Sequence, residues 1–478
     1  MAYTGETFLG LLPELIATGF LITVLMVGVF AERSVGLVAA LAALGALATF
    51  AGAAVLLAIG FSGEFFGGGY VVDGFALYFK LIVSGSAFFA VLAAARWSSG
   101  TGDAAEYLML ILSVVVGAML LVSMRDLFGI FLALELATIP SYAMVAFDRN
   151  RRESAEGGMK YLITGVIASS ILLYGMVLIY GVAGSAQLSD IAQTFSGQLT
   201  PVALIGLVLL ISGFAFKVSA APFHFWTPDA YQGAPTSAAA FLSVAPKAAT
   251  FGVLLRIFLE GMPGAAATWT VVMAFLAIVT MFVGNLFALR QRNVRRMLAY
   301  SSVAHSGYIL AAFAALQGQA VPTAVQAVLI YSAAYAVMNM GAFLVIDLAG
   351  EEGKGYNGLF RTRPGLAISM GVFMTALVGL PPLSGFFGKA WVLLAGAQSG
   401  SGLVYVVVGA VVANSVLSVP YYFGIIRNMF FEEPAGVVEQ GEGGFAVEFS
   451  VYALAAATVL FALFVGPLAA LARASGLL

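Results

Sequence analysis

With 478 residues, 62% of them hydrophobic and only 9% charged, and a mean hydropathy of +1.02, the chain is too apolar for a water-soluble domain, which carries roughly 25% charged residues. The lack of any cysteine excludes disulfides, cysteine-ligated iron–sulfur clusters and covalently attached c-type haem. Two histidines argue against a metal or haem site, no G-x-x-x-x-G-K-[ST] run offers a phosphate cradle, and a formal charge of −2 presents no basic surface for nucleic acid.

Apolar runs of about 20 residues recur from end to end, each long enough to cross a hydrocarbon core about 30 Å thick. They are continuous rather than alternating, which predicts helices and not barrel strands. In chain order they fall at 7–29, 35–58, 74–95, 105–122, 127–147, 159–182, 202–222, 236–259, 267–289, 297–316, 324–348, 366–397, 402–426 and 448–472. The fold class expected is therefore an all-α polytopic membrane protein with about fourteen transmembrane helices. The opening MAYTGE lacks a positive n-region and a small-residue cleavage site, so the first span is expected to be retained. The longest polar connections, 349–365 and 427–447, leave no room for an extramembrane domain.

Orientation follows from the basic residues. Connections after odd-numbered spans carry Arg33, Arg96, Arg149, Arg151, Arg152, Arg290, Arg292, Arg295, Arg296, Lys354, Arg361, Arg363 and Arg427, whereas the other side carries Arg125 and Arg473. The positive-inside rule then puts both termini on the non-cytoplasmic side.

A faint internal repeat is visible. LELATIPSYAMVAF (134–147) resembles YSSVAHSGYILAAF (300–313), and YLITGVIASS (161–170) aligns loosely with YSAAYAVMNM (331–340). Prolines then interrupt an apolar span in each half, at Pro222 and at Pro381–Pro382. The corresponding segments lie five spans apart, and an odd offset reverses direction across the membrane, which is the sequence pattern of an inverted-repeat transporter. Chance similarity among helices rich in Ala, Leu and Gly is the alternative.

The basic residues are partitioned by type. Every Arg except Arg256 falls in a connection, but Lys80, Lys160, Lys217, Lys247 and Lys389 fall within spans. Arg stays charged, whereas a desolvated Lys can release and regain a proton. A charge at mid-span costs roughly 2.5–3.5 kcal/mol, so several in one chain point to a paired, hydrated interior path. Glu135 sits mid-span in FLALELATIPSY with no route to the interface; it either pairs with a lysine or makes a structural hydrogen bond between helices. Lys217 lies five residues before Pro222 in FAFKVSAAPFHFW, where the helix is expected to kink or break near residue 218. Lys247 directly follows Pro246, and Lys389 follows PPLSGFFG; each carries protons or merely anchors loosened backbone. Lys160 is explained almost as well by a surface ion pair with Glu156 four residues earlier. Lys80 is expected to snorkel or pair locally. His224 and His305 are possible relays, or lone polar residues bonded across helices.

The stretch KVSAAPFHFWTPDAYQGAPTSAAAFLSVAPKAA (217–249) closely resembles the antiporter-like membrane-arm subunits of bacterial NADH:quinone oxidoreductase, respiratory complex I, and within them the subunit N family. GLPPLSGFFGKAW (379–391) and RQRNVRRMLAYSSVAHSGY (290–308) resemble the same family, and the likeness covers essentially the whole chain. It implies two inverted five-helix repeats, each with a discontinuous helix: an N-terminal three-helix segment over 1–100, repeats over 101–260 and 261–430, and a C-terminal loop and last helix over 431–478. It further implies a proton path in which Glu135 pairs with Lys217, Lys247 is the central lysine and Lys389 stands at the exit, with Lys160 as a further lysine on the path. The sibling M family has a glutamate where Lys389 stands, and the L family has a long C-terminal lateral helix that this sequence lacks. The resemblance implies no cofactor in this chain, with FMN, iron–sulfur clusters, NADH and quinone held by partner subunits. The partners implied are membrane-arm subunits, especially M and the small subunit K, in a bacterial plasma membrane. A multisubunit cation/proton antiporter, or a related ferredoxin- or F420H2-linked complex, is the rival; a structural membrane-arm subunit is a second.

Overall fold

A computed structural model describes residues 5–30, 35–98, 103–196, 199–434 and 444–473. Arg33 and residues 435–443 of the last polar connection lie outside the described residues, as do the side chains of Arg96 and Arg473. The chain opens with α1 (Gly5–Gly10), α2 (Leu12–Phe30) and α3 (Val35–Ala58), followed by a small antiparallel hairpin of β1 (Gly63–Phe65) and β2 (Tyr70–Val72). Then come α4 (Gly74–Ser98), α5 (Ala104–Ser123), α6 (Leu127–Val145), α7 (Arg152–Ala183) and the short α8 (Leu188–Thr194). Next are α9 (Pro201–Lys217), α10 (Trp226–Gly233) and α11 (Thr236–Arg256), which runs on into a π turn, Ile257–Gly261. The second half holds α12 (Ala266–Ala288), α13 (Val294–Ala314), α14 (Val321–Ala349), α15 (Leu359–Thr362), α16 (Pro364–Val378) and α17 (Ser384–Gln398). It closes with α18 (Gly402–Phe431), α19 (Phe445–Leu460) and α20 (Val465–Arg473).

Eleven helices among the described residues are long and apolar enough to cross a bilayer, so the chain is a multi-pass, all-α membrane protein. The other three expected runs, 202–222, 297–316 and 366–397, correspond to α9, to α13, and to α16 with α17. Of these, α13 is the most polar, because it carries Arg295, Arg296, His305 and several serines.

Burial sorts the helices into pillars and rim. Along α11, 94% of the best apolar window is buried, and along α14, 89%; the figures for α2, α18 and α19 are 22%, 33% and 33%. A helix buried on all sides has no lipid-facing stripe, so every polar side chain on α11 must find a partner in the protein. Close approach depends on small residues. Between α12 and α13, a Cβ on Gly284 would stand 2.4 Å from the Ala304 nitrogen, and one on Gly307 would stand 2.7 Å from the Met281 nitrogen.

Proline breaks two of the helices. After the 17-residue α9, a turn through Pro222 leads to α10; after the 15-residue α16, Gly379 at φ +90° and Pro381–Pro382 lead to α17. The peptide bonds Ala221–Pro222 and Pro381–Pro382 are cis. Glycine is needed at 379 because a positive φ strains any residue with a Cβ.

Candidate functional site

The first break sets Lys217 at the last residue of α9. Its geometry is held from the far side of the turn, where the Trp226 indole donates to the Phe216 carbonyl at 3.2 Å and stacks on Tyr161 with ring centroids 4.2 Å apart. The Lys217 ammonium, buried with 8% of the residue exposed, reaches Ser169 Oγ of α7 at 3.0 Å, Thr138 Oγ1 of α6 at 3.3 Å and Glu135 Oε1 of α6 at 3.4 Å. Ser169 donates to the same Glu135 oxygen at 2.7 Å. The buried Lys217 and the half-buried Glu135 thus form an ion pair in which a hydroxyl lies closer to the ammonium than the carboxylate does.

Beyond Lys217 is a cavity that it lines together with Thr138, Ser141, Tyr161, Pro246 and Thr250. Pro246 lies inside α11 and has no N–H to give the carbonyl of Leu242. The Tyr231 hydroxyl supplies the bond instead, at 3.3 Å. The next residue, Lys247, is 3% exposed; it donates to Ser302 Oγ of α13 at 2.6 Å and sits 5.7 Å from the Tyr231 ring centroid. On its other side a second small cavity is lined by Lys247, Ser306, Ser332 and Tyr335.

From Ser302 the polar line continues along α13. His305, 1% exposed, makes Nδ1···Tyr331 Oη at 3.0 Å and Nε2···Tyr422 Oη at 3.2 Å, and the Tyr422 hydroxyl also bonds Ser301. Its ring also meets the edge of the Tyr308 ring, with centroids 5.5 Å apart. Lys389, on α17, lies 4.5 Å from the Tyr308 ring centroid and donates to the Val378 carbonyl at 2.7 Å and the Leu377 carbonyl at 3.4 Å. Those carbonyls end α16, so a cation there satisfies orphan acceptors and meets the negative end of a helix dipole. Tyr308 leads on to Asn285, whose Nδ2 reaches its hydroxyl at 3.2 Å and Asn414 Oδ1 at 3.0 Å.

Glu135, Lys217, Lys247, His305 and Lys389 are thereby gathered into one file of neighbouring interior groups. Lys160 and His224 stand apart from these five groups. Lys160 is half-exposed on the arginine-rich face and pairs with Glu156 and with Asp229, both at 2.7 Å; Arg296 also bonds Asp229, at 2.5 Å. His224 is buried in the turn after Pro222, its ring tilted against that of Phe225 with centroids 4.6 Å apart, and its Nδ1 has no hydrogen-bond partner.

Several participants escape a reading based on charge. Ser169, Ser302, Tyr231, Tyr331 and Tyr422 carry none, although IASS and SSVAHSGY do stand out as polar runs inside apolar helices. Lys80 does not snorkel: it is fully buried and pairs with Glu14 of α2 at 2.7 Å, while Tyr70 donates to the same Glu14 oxygen at 2.9 Å. Arg256 is also fully buried, held by Asp73 at 3.0 Å and Glu260 at 2.7 Å. Among the described residues no group of three or more His, Asp or Glu gathers to hold a metal ion.

Comparison with known proteins agrees with this architecture. Residues 124–418 match the family model described as NADH:quinone oxidoreductase/Mrp antiporter, TM. The NADH-quinone oxidoreductase subunit N of Rubrobacter xylanophilus is 75% identical, with all of each chain covered. A chain of respiratory complex I from Thermus thermophilus superposes with a TM-score of 0.80 at 31% identity, covering 96% of this chain and 99% of that one. A chain of the Mrp complex from Dietzia sp. DQ12-45-1b shares the fold, with a TM-score of 0.86 at 21% identity and coverage of 99% and 97%. The chain belongs to the NADH-quinone oxidoreductase subunit N family of antiporter-like membrane proteins.

Proposed function

We propose that this chain is the proton-translocating subunit of an NADH:quinone oxidoreductase, driven by electron transfer in partner subunits and acting as part of a translocase. The observation that carries the reading is the file of side chains from the half-buried Glu135 through the buried Lys217, Lys247 and His305 to Lys389, with hydroxyls and two cavities between them. Lysine is the basic residue that can both hold and release a proton inside a protein. While Glu135 is paired, Lys217 holds its proton; when the carboxylate moves away, the desolvated ammonium gives it up toward Lys247, and Lys389 delivers it to the far side. Lys160, in its ion pairs at the arginine-rich face, collects protons at the mouth of the path, and His224 serves as a minor relay at the first break.

The two proline-broken helices are read as matching members of two inverted five-helix repeats, over 101–260 and 261–430, within fourteen spans. The segments 1–100 and 431–478 flank them. The arginine-rich face is the cytoplasmic one, both termini lie opposite, and the membrane is the bacterial inner membrane. FMN, iron–sulfur clusters, NADH and quinone belong to partner subunits, and the neighbours are subunits of the M and K type.

Lys247→Ala is the decisive variant. In an assembled complex it is expected to lower protons moved per electron while leaving assembly largely intact; unchanged pumping would sink the proposal. The rival cation/proton antiporter shares the fold. Purification separates the two: redox subunits with iron–sulfur clusters accompany the chain in one case, antiporter subunits alone in the other.

A further inference from the structure

Hydroxyl side chains in apolar helices usually donate to the carbonyl four residues back. Thr138, Ser141, Thr164 and Ser170 around this site all do so. Ser169 does not. Its hydroxyl is turned across the interface of α6 and α7 and donates to Glu135 Oε1 at 2.7 Å, while its oxygen accepts from Lys217 Nζ at 3.0 Å. Both bonds are shorter than the direct Lys217–Glu135 approach of 3.4 Å. Thr138 touches the same ammonium at 3.3 Å, but its proton is committed to the Leu134 carbonyl, so it can only accept. The Tyr142 hydroxyl, packed against Gly165 of α7, meets no hydrogen-bond partner at bonding geometry. The hydroxyl therefore stands between a lysine side chain 5% exposed and a carboxylate 19% exposed at the rim of the bundle, where α6 turns Leu132, Leu136 and Ile139 outward.

We propose that Ser169 is a relay residue, through which the proton passes between Lys217 and Glu135; this rests on the reading that the pair belongs to the proton path. Glu135, once protonated, gives its proton to Ser169 Oγ as the Ser169 O–H passes its own to the neutral Lys217 amine. The products are a carboxylate, an intact serine and an ammonium, with the bond directions found here, so Lys217 is loaded while the pair is together and before the carboxylate moves away. The hydroxyl keeps donor and acceptor aligned without letting the ion pair close fully.

The test uses the whole complex in closed inverted membrane vesicles, comparing Ser169→Ala, Ser169→Thr and Lys217→Ala, and Ser169→Ala in a Glu135→Gln background. Expected are a several-fold loss of proton-uptake rate and a changed solvent deuterium isotope effect in Ser169→Ala. Ser169→Thr should restore both, and Ser169→Ala should add nothing once Glu135 is Gln. A structural role would not move the isotope effect. Wild-type pumping in Ser169→Ala beside impaired pumping in Lys217→Ala overturns the relay alone. Losses that multiply in the double variant also overturn it. Unimpaired pumping in Lys217→Ala overturns the reading of the path, and the relay with it.

Discussion

Lys389 poses the sharpest question at the scale of single residues, because its ammonium has a structural task in plain view. It donates to two carbonyls that end α16, and that alone would explain a cation at this position. Anchoring and proton transfer separate in Lys389→Arg. A guanidinium keeps the charge and the donors but does not deprotonate in a protein. The expected outcome is a complex that assembles normally, with protons moved per electron reduced; equal pumping by the arginine variant would leave anchoring as the residue's whole role. What was legible in the sequence at this scale is the set of groups that must be paid for inside a bilayer: Glu135, Lys217, Lys247 and Lys389. Ser169 and Ser302 were not legible, because a hydroxyl bonded to its own helix and one turned toward a neighbour look alike in a sequence. Lys160 shows the converse, since Glu156 four residues earlier pointed to the ion pair found, while Asp229, the other partner at the same distance, comes from a distant helix.

At the scale of elements, the site exists because proline interrupts helices that burial would otherwise leave unbroken. Within α11, Pro246 frees the Leu242 carbonyl and Tyr231 takes it, so the defect is satisfied from α10. Tyr231→Phe would leave that buried acceptor unpaired, at a cost of about 1–3 kcal/mol, and is expected to lower the thermal inactivation midpoint of the purified complex. Between α16 and α17 the turn is tighter. A Cβ on Gly385 would stand 1.9 Å from the Ala376 carbonyl oxygen, whereas nothing lies within 4 Å of one on Gly402. Gly385→Ala should therefore push α17 off α16, lifting Lys389 from its carbonyls, and reduce the amount of assembled complex on a native gel; Gly402→Ala should not. The positions of both breaks follow from Pro222 and Pro381–Pro382. The depth to which each helix is buried does not, because α3, 39% buried over its apolar window, and α14, 89% buried, have similarly apolar sequences.

Across the whole molecule, charge pairs tie elements of the first hundred residues both to later helices and to one another. On one side Arg125, between α5 and α6, joins Glu64 of β1 to Glu260, and Glu260 joins Arg256 of α11, which also holds Asp73 before α4. Deeper in, α2 contributes Glu14 to Lys80 of α4. That pair resembles Glu135–Lys217 in composition, with Tyr70 in the place of Ser169, donating to the carboxylate and accepting from the ammonium at 3.0 Å. It differs in being linked to none of the lysines of the interior file. A buried pair that only fastens helices should be replaceable by apolar residues, whereas breaking it from one side strands a charge, at about 3–5 kcal/mol. Glu14→Gln is accordingly expected to destabilise the complex, seen as a lower midpoint of thermal inactivation. The double variant Glu14→Leu with Lys80→Leu should recover most of that loss, with protons moved per electron unchanged in both. If the double variant were stable yet pumped fewer protons, the pair at α2 and α4 would have to be counted among the groups that move charge, and the three-helix segment would be part of the path rather than its support.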